Sequence, residues 1–352
     1  MIADAQIKFY KPSNVSDTSQ NGGRMSPDSV TDGLKNNVWP SVTKAQRTAG
    51  VTQYRKVFIK VENNADPNVT KNQIALTPSV FIAFQTPGQD CVSIFPATQN
   101  DTQADITGAE SLYGTGLLNA GVGSGATQIV VGTEGTAFNH FRNGMTIRIH
   151  NMSSPDDATG IVSEITLATS NAVSWNGDVA TLTLSAPLAQ SWLAEETRSI
   201  NGVPTLVKTR VCGVIRPADI QAVYDSTGIS SAGGTFTFNA TNLLVDHTGG
   251  IEQAWTLQFT SPTQYDVIGD TLGNIDWGNI TSDKILMNPD FPGNPYFTLL
   301  AAGFGGTWQI GDTITFTTHP SAYPVWEKRV VPAACAALSS DEVIIEMEIE
   351  SD

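Results

Sequence analysis

The sequence predicts an all-β protein of two or three β-sandwich or small-barrel domains, preceded by an extended N-terminal arm. Three observations carry that reading. Apolar and polar residues alternate in short runs with a period of two, the pattern of half-buried strands. Turn residues bound those runs, with Asn-Gly pairs at Asn143-Gly144 and Asn176-Gly177 supplying the positive φ that tight hairpins require. Helical periodicity is scarce, and closely spaced strands without long intervening helices argue against a parallel α/β fold.

Taken in order, residues 1–50 read as a polar, basic arm. Its "NGGRMS" stretch at 21–26 holds two glycines and an arginine, with no apolar anchor before Met25. "PDSVTDGLKNN" is at best a marginal helix, given Pro27 and Gly33. A first β domain over 51–112 contains "YRKVFIKVEN", "SVFIAFQT" and "CVSIFPAT". The Gly-rich "YGTGLLNAGVGSGA" reads as a flexible junction opening a second β domain or insertion at 113–213. There "FRNGMTIRIHN" places Met145, Ile147 and Ile149 on one face, and "SWNGDVATLTLS" does the same with Ala180, Leu182 and Leu184. "PLAQSWLAEE" puts Leu188 one turn from Trp192 behind Pro187, which predicts one short helix. The C-terminal β domain, 214–352, repeats the alternation at Phe236/Phe238, Trp255/Leu257/Phe259 and Ile314/Phe316. It ends in "EVIIEMEIESD", where Glu346, Glu348 and Glu350 share one face and must meet water or basic partners. "RNGMTIRI" and "QIGDTITF" echo each other as hairpins converge on such sequences, without a repeat architecture.

Composition narrows the function classes. The chain has 352 residues, 40% of them hydrophobic, enough for real cores. No apolar run reaches about 18 residues, and the N-terminus lacks a signal-peptide pattern, so a soluble protein made in a cytoplasm and without a membrane partner is expected. Cys91, Cys212 and Cys335 are odd in number and far apart, and read as small buried hydrophobes outside any disulfide framework. Asn-x-Ser/Thr sequons such as Asn68-Val69-Thr70 mark polar loops. The net charge of −15 is uneven: residues 1–71 hold ten of the nineteen Lys and Arg against six acids, a net +4, leaving −19 on the rest. A basic head on an acidic body complements copies of itself. The acidic body repels phosphates, so sequence-specific nucleic-acid binding is not expected, although such a surface suits a path along which DNA slides.

Chemical motifs are missing at the spacings that chemistry needs. "GVGSGA" at 121–126 precedes a strand, "TQIVVGTEG", where a dinucleotide fingerprint requires a helix, and no Gly-Lys-Ser/Thr follows any glycine cluster. His140, His150, His247 and His319 have no partner at a metal-ligand spacing, and His247 and His319 read as solvated loop residues. There is no G-x-S-x-G elbow. The expectation is a non-enzyme with no cofactor and no metal. Trp39, Trp255, Trp308 and Trp326 fit cores better than a sugar-stacking platform, whereas Trp277 in "NIDWGNIT" is the better exposed contact.

Two stretches carry a resemblance. "IKFYKPSNVSDTSQNGGRMS", continuing through "GLKNNVWPSVTKAQRTAGVTQYRKVFIKVEN", and "YFTLLAAGFGGTWQIGDTITFTTHPSAYPVWEKRVVPA" resemble virion structural proteins of tailed bacteriophages. The middle, about 126–213, departs most and reads as a surface-exposed insertion. The resemblance implies a non-enzymatic virion protein, assembled in the host cytoplasm into a ring or tube at the tail, neck (collar) or baseplate. Its partners would be copies of itself and other phage virion proteins. The arm residues Arg24, Lys35, Lys44 and Arg47 would then be ordered by neighbouring subunits, with Trp277, Glu346, Glu348 and Glu350 as further contacts. A capsid decoration protein belongs to the same class. A host-surface carbohydrate-binding module, with exposed aromatics on sugars, is the alternative from another class.

Overall fold

A computed structural model describes residues 2–62, 74–133, 140–339 and 341–351; the Asn68-Val69-Thr70 sequon lies outside them. The protein is all-β. In the first third run β1 (Ile7–Asn14), β2 (Gly22–Ser29), a short α-helix α1 (Lys44–Ala49), β3 (Val51–Val61), β4 (Ala75–Phe84) and β5 (Cys91–Pro96). The middle holds β6 (Thr115–Leu118), β7 (Gln128–Thr133), β8 (Thr146–His150), β9 (Val162–Thr166), β10 (Val173–Asn176), β11 (Val179–Thr183), β12 (Glu195–Ile200), β13 (Val203–Lys208) and β14 (Arg210–Gly213). The last third holds β15 (Val223–Ser230), β16 (Gly234–Phe236), β17 (Leu243–Val245), β18 (Gln253–Phe259), β19 (Gln264–Gly269), β20 (Gly273–Asn279), β21 (Lys284–Met287), β22 (Pro295–Leu299), β23 (Phe304–Gly306), β24 (Thr313–His319), β25 (Ala322–Val331) and β26 (Ile344–Ser351).

The base of the molecule is a sheet of order β2-β1-β3-β25-β5 facing the pair β26–β4. Strand β3 is buried on both sides because its two faces do different work. Val57 and Ile59 meet Val80, Ile82, Ile94 and Val325 in the inter-sheet core. On the opposite face Lys56, Phe58 and Lys60 are covered by the rest of the chain. Lys56 Nζ donates to Gly23 O at 2.8 Å and pairs with Asp101 at 2.7 Å. Lys60 Nζ donates to Thr248 O and lies 3.7 Å from the Phe291 ring centroid. A buried ammonium persists only with such partners.

The middle unit is a seven-stranded sheet, β10-β11-β7-β6-β14-β8-β9, that curls until Leu167 past β9 bridges Leu184 past β11. The predicted faces hold: Met145, Ile147, Ile149, Ala180, Leu182 and Leu184 are all in its core. In the third unit the sheet β15-β24-β18-β19-β20 packs on β17-β22-β21 and β16–β23. Trp255, Leu257, Phe259, Ile314 and Phe316 fill that core, and Trp308 stacks on Phe259 at 4.1 Å. Trp326 is buried in the base, and Trp39 is half-buried with Nε1 donating to Glu327 at 2.6 Å.

Several expectations are corrected. Residues 1–50 are not a free arm: β1 and β2 form a hairpin hydrogen-bonded to β3, because β3 would otherwise present a bare edge. The third domain does not run unbroken to 352, since β25 inserts between β3 and β5 and β26 pairs with β4, returning the C-terminus to the base. The Gly-rich stretch is no interdomain junction. It connects β6 to β7 inside one sheet, with Val122 bridging Trp192 and Gly125 N donating to Leu188 O at 2.8 Å. That pairing spends the backbone groups of the "PLAQSWLAEE" segment, so no helix forms there, nor at "PDSVTDGLKNN". Asn176-Gly177 opens the expected hairpin, β10–β11, but Asn143-Gly144 makes only a turn: β8 pairs with β9 and β14. Cys91 and Cys212 are buried as expected; Cys335 is half-exposed.

Candidate assembly surface

The residues singled out in the sequence divide into those the fold consumes and those it leaves free. Arg24 on β2 is consumed. Its guanidinium grips Asp270 at 2.7 and 3.1 Å, and reaches Gln253 at 3.0 Å and Asn100 at 3.1 Å, tying the hairpin to the β19–β20 turn. The hydrogen bonds from Arg24 hold the Asp270 carboxyl below its usual range. Lys35 is exposed in the loop before α1, Lys44 is exposed and Arg47 half-exposed on α1, and no ion pair engages them among the described residues.

On β26 the predicted acidic face exists. Glu348 forms a two-point pair with Arg148, which also lies 3.5 Å from Glu164; Arg216 in turn grips Glu164 and Ser79. Glu346 is half-buried, and desolvation raises its pKa. Glu350 and Glu348 line an open cleft of about 660 Å³ together with Glu164, Arg216 and Asp219. Thus the structure brings Glu348 and Glu350 together, but with Arg148 and Arg216 and not with the basic segment. Trp277 sits on β20, 60% exposed, its neighbour across the strand being Asp266. Ile275, Ile285 and Met287 are exposed nearby on β20 and β21.

One exposed hairpin is absent from the sequence reading. Strands β12 and β13 form a two-stranded sheet of their own. Asn201 and Gly202 close it with φ of 50° and 81°, the conformation that favours Asn-Gly in a two-residue turn. The signal was present in "INGV" and is the same dipeptide that marks the β10–β11 hairpin. Its inner face is anchored. Arg198 donates to Asp157 at 2.5 Å, Asn151 O at 2.6 Å and Thr159 O at 2.7 Å, and Asn151 donates to Glu196 at 2.6 Å. Burial works against the Asp157 charge, but hydrogen bonds from Thr159 and Ser153 hold that carboxyl well below the usual range. The outer face carries Glu195, Thr197, Ser199, Pro204, Leu206 and Lys208, all exposed. Leu206 at 59% and Val203 at 62% exposure stand in water, with Leu193 at 60% beside the hairpin's base.

The histidines differ from expectation. His247 is buried, and His319 ends β24 between Glu252 at 2.7 Å and Asp225 at 3.1 Å; the hydrogen bond to Glu252 raises its pKa. Among the described residues no three or more His, Cys, Asp or Glu side chains stand together as a metal-ligand set. No described helix is long and apolar enough to cross a membrane. Compared with known proteins, the chain matches no known family, no curated protein and no solved structure.

Proposed function

We propose that the chain is a non-enzymatic structural component of a tailed-bacteriophage virion, which acts by assembling with copies of itself and other virion proteins into a ring or tube at the tail, neck or baseplate. The observation that carries the assembly reading is the β12–β13 hairpin. It is anchored on one face by Arg198, carries exposed Leu206 on the other and exposed Val203 beside the turn, and, among the described residues, its two outer strand edges join no further strand. Unpaired edges with apolar side chains are templates for another strand, and a hairpin already anchored through Arg198 orders less on meeting a neighbour. The location in the virion rests on the resemblance of the two terminal stretches. Negative-stain microscopy of the purified protein tests the proposal. Closed rings or tubes of one symmetry are expected, and Leu206→Asp should abolish them. A monomer in every field would contradict self-assembly.

One observation favours a second reading, a carbohydrate-binding module. Trp277 is exposed beside Asp266 and Asn274, which hydrogen-bond to each other at 2.9 Å, and an aromatic face with flanking polar groups stacks on sugars. Retention on host polysaccharide that Trp277→Ala removes would select that reading.

A further inference from the structure

We propose that Asp90 and Asp341 form a binding site for a hard divalent cation, Ca²⁺ by its ligand chemistry, which clasps the β25–β26 connection onto the β4–β5 turn. Asp90 is only 6% exposed, and its Oδ1 is fully enclosed without a hydrogen-bond donor. The group facing it is a second carboxylate, which as an anion has no proton to give. The two oxygens converge over Gly88: a Cβ on that residue would stand 2.6 Å from Asp341 Oδ2 and 3.0 Å from Asp90 Oδ1. Glycine therefore keeps open the space in which they meet. The other oxygen of Asp341 accepts from Gly88 N at 3.2 Å, so the carboxylate is aimed and not merely nearby. A second tether, Ala336 N to Gln89 Oε1 at 2.7 Å, holds the same two segments together.

Two carboxylates in contact need a cation or a proton between them. Without a cation, burial and Asp90 push Asp341 up to about 7, while Arg329 is the cation whose field reaches both groups. Oxygen-only ligands select hard ions, and Ca²⁺ accepts two carboxylates with water in the remaining positions. Asp341 is on the solvent side, which leaves room for those waters. So few protein ligands place the affinity in the weak range, on the order of 10⁻⁴–10⁻³ M.

Ca²⁺ titration of the intact protein tests the site. At pH 8, Tm should rise by at least roughly 2 °C with about 10 mM CaCl₂ over an NaCl control of equal ionic strength. Calorimetry should give one site whose affinity weakens about tenfold at pH 6, because the proton on Asp341 competes. Asp341→Asn, which can donate to Asp90 in place of the ion, should fold and ignore Ca²⁺. A wild-type Tm that ignores Ca²⁺ would overturn the proposal in favour of a shared proton. A Ca²⁺ response in Asp341→Asn or Asp90→Asn equal to that of the wild type would overturn it too.

Discussion

Glu327 lies buried in β25 with its carboxylate against Trp39 Nε1, and burial pushes its pKa up to about 7 despite Arg329 and Arg55. A carboxyl with an ordinary value of 4.5 and a folded value near 7 binds more protons in the folded state between those pH values. Its stability contribution is therefore fully present below about 4.5 and lost as pH rises toward 7. His140 and His150 work oppositely. Burial pushes them from 6.5 down to about 3 and about 4, so stability present above 6.5 is lost as pH falls through that window. Glu327→Gln keeps an oxygen for Trp39 but removes the acid-side compensation. In urea melts between pH 7.5 and 5, the stability difference should shift toward wild type by roughly 2 kcal/mol; parallel curves would contradict this. None of these groups was legible as buried. Lys56 and Lys60 alternate with Phe58 as a solvent face would, and only the returning chain, through Gly23, Asp101 and Thr248, covers them.

Among the elements, the β1–β2 hairpin gives "NGGRMS" a structural role. Gly22 adopts φ of 108°, and a Cβ there would stand 2.8 Å from both the Trp326 ring and Asp101 O. Gly22→Ala should therefore cost about 2 kcal/mol in a denaturant melt, where an open loop would lose almost nothing. The β12–β13 hairpin hangs on Arg198 and Asp157, whose side chains are 15% and 1% exposed. Arg198→Ala leaves a buried carboxylate without its cation, an expected loss of about 3 kcal/mol, and hydrogen exchange should accelerate in 195–208 first. Much at this scale was legible from local signals. Alternation located the core faces of β8, β11, β18 and β24, and Asn201-Gly202 carried the missed hairpin. Helix α1 was not expected, although its signals are local: Thr43 and Gln46 form a capping box and Gly50 ends the helix with φ of 77°. The segment at 187–196 was misread because its partner is the glycine stretch more than sixty residues earlier, and local periodicity cannot see a partner.

Across the whole molecule, part of the charge asymmetry is spent inside the chain. Arg24 meets Asp270 and Lys56 meets Asp101 on the acidic body, whereas Arg55 with Asp17 and Lys8 with Glu62 pair within the basic segment itself. The basic head complements the body that it is covalently part of, which leaves Lys35, Lys44 and Arg47 as the exposed remainder. Domain order was illegible for a related reason: nothing local to 322–331 announces that it pairs with 51–61, because strand pairing at that separation is settled by the assembled core. Removing residues 1–50 would strip β1 and β2 from β3, so such a truncation tests folding before it tests assembly. Point changes on exposed faces are the cleaner probe. The central claim, that the chain works by assembling, is tested most directly by mass photometry of the intact protein from low to high salt, beside Leu206→Asp. A discrete oligomer of the wild type, reduced to single chains by that substitution, is the expected result. A wild-type monomer at every salt concentration would contradict it.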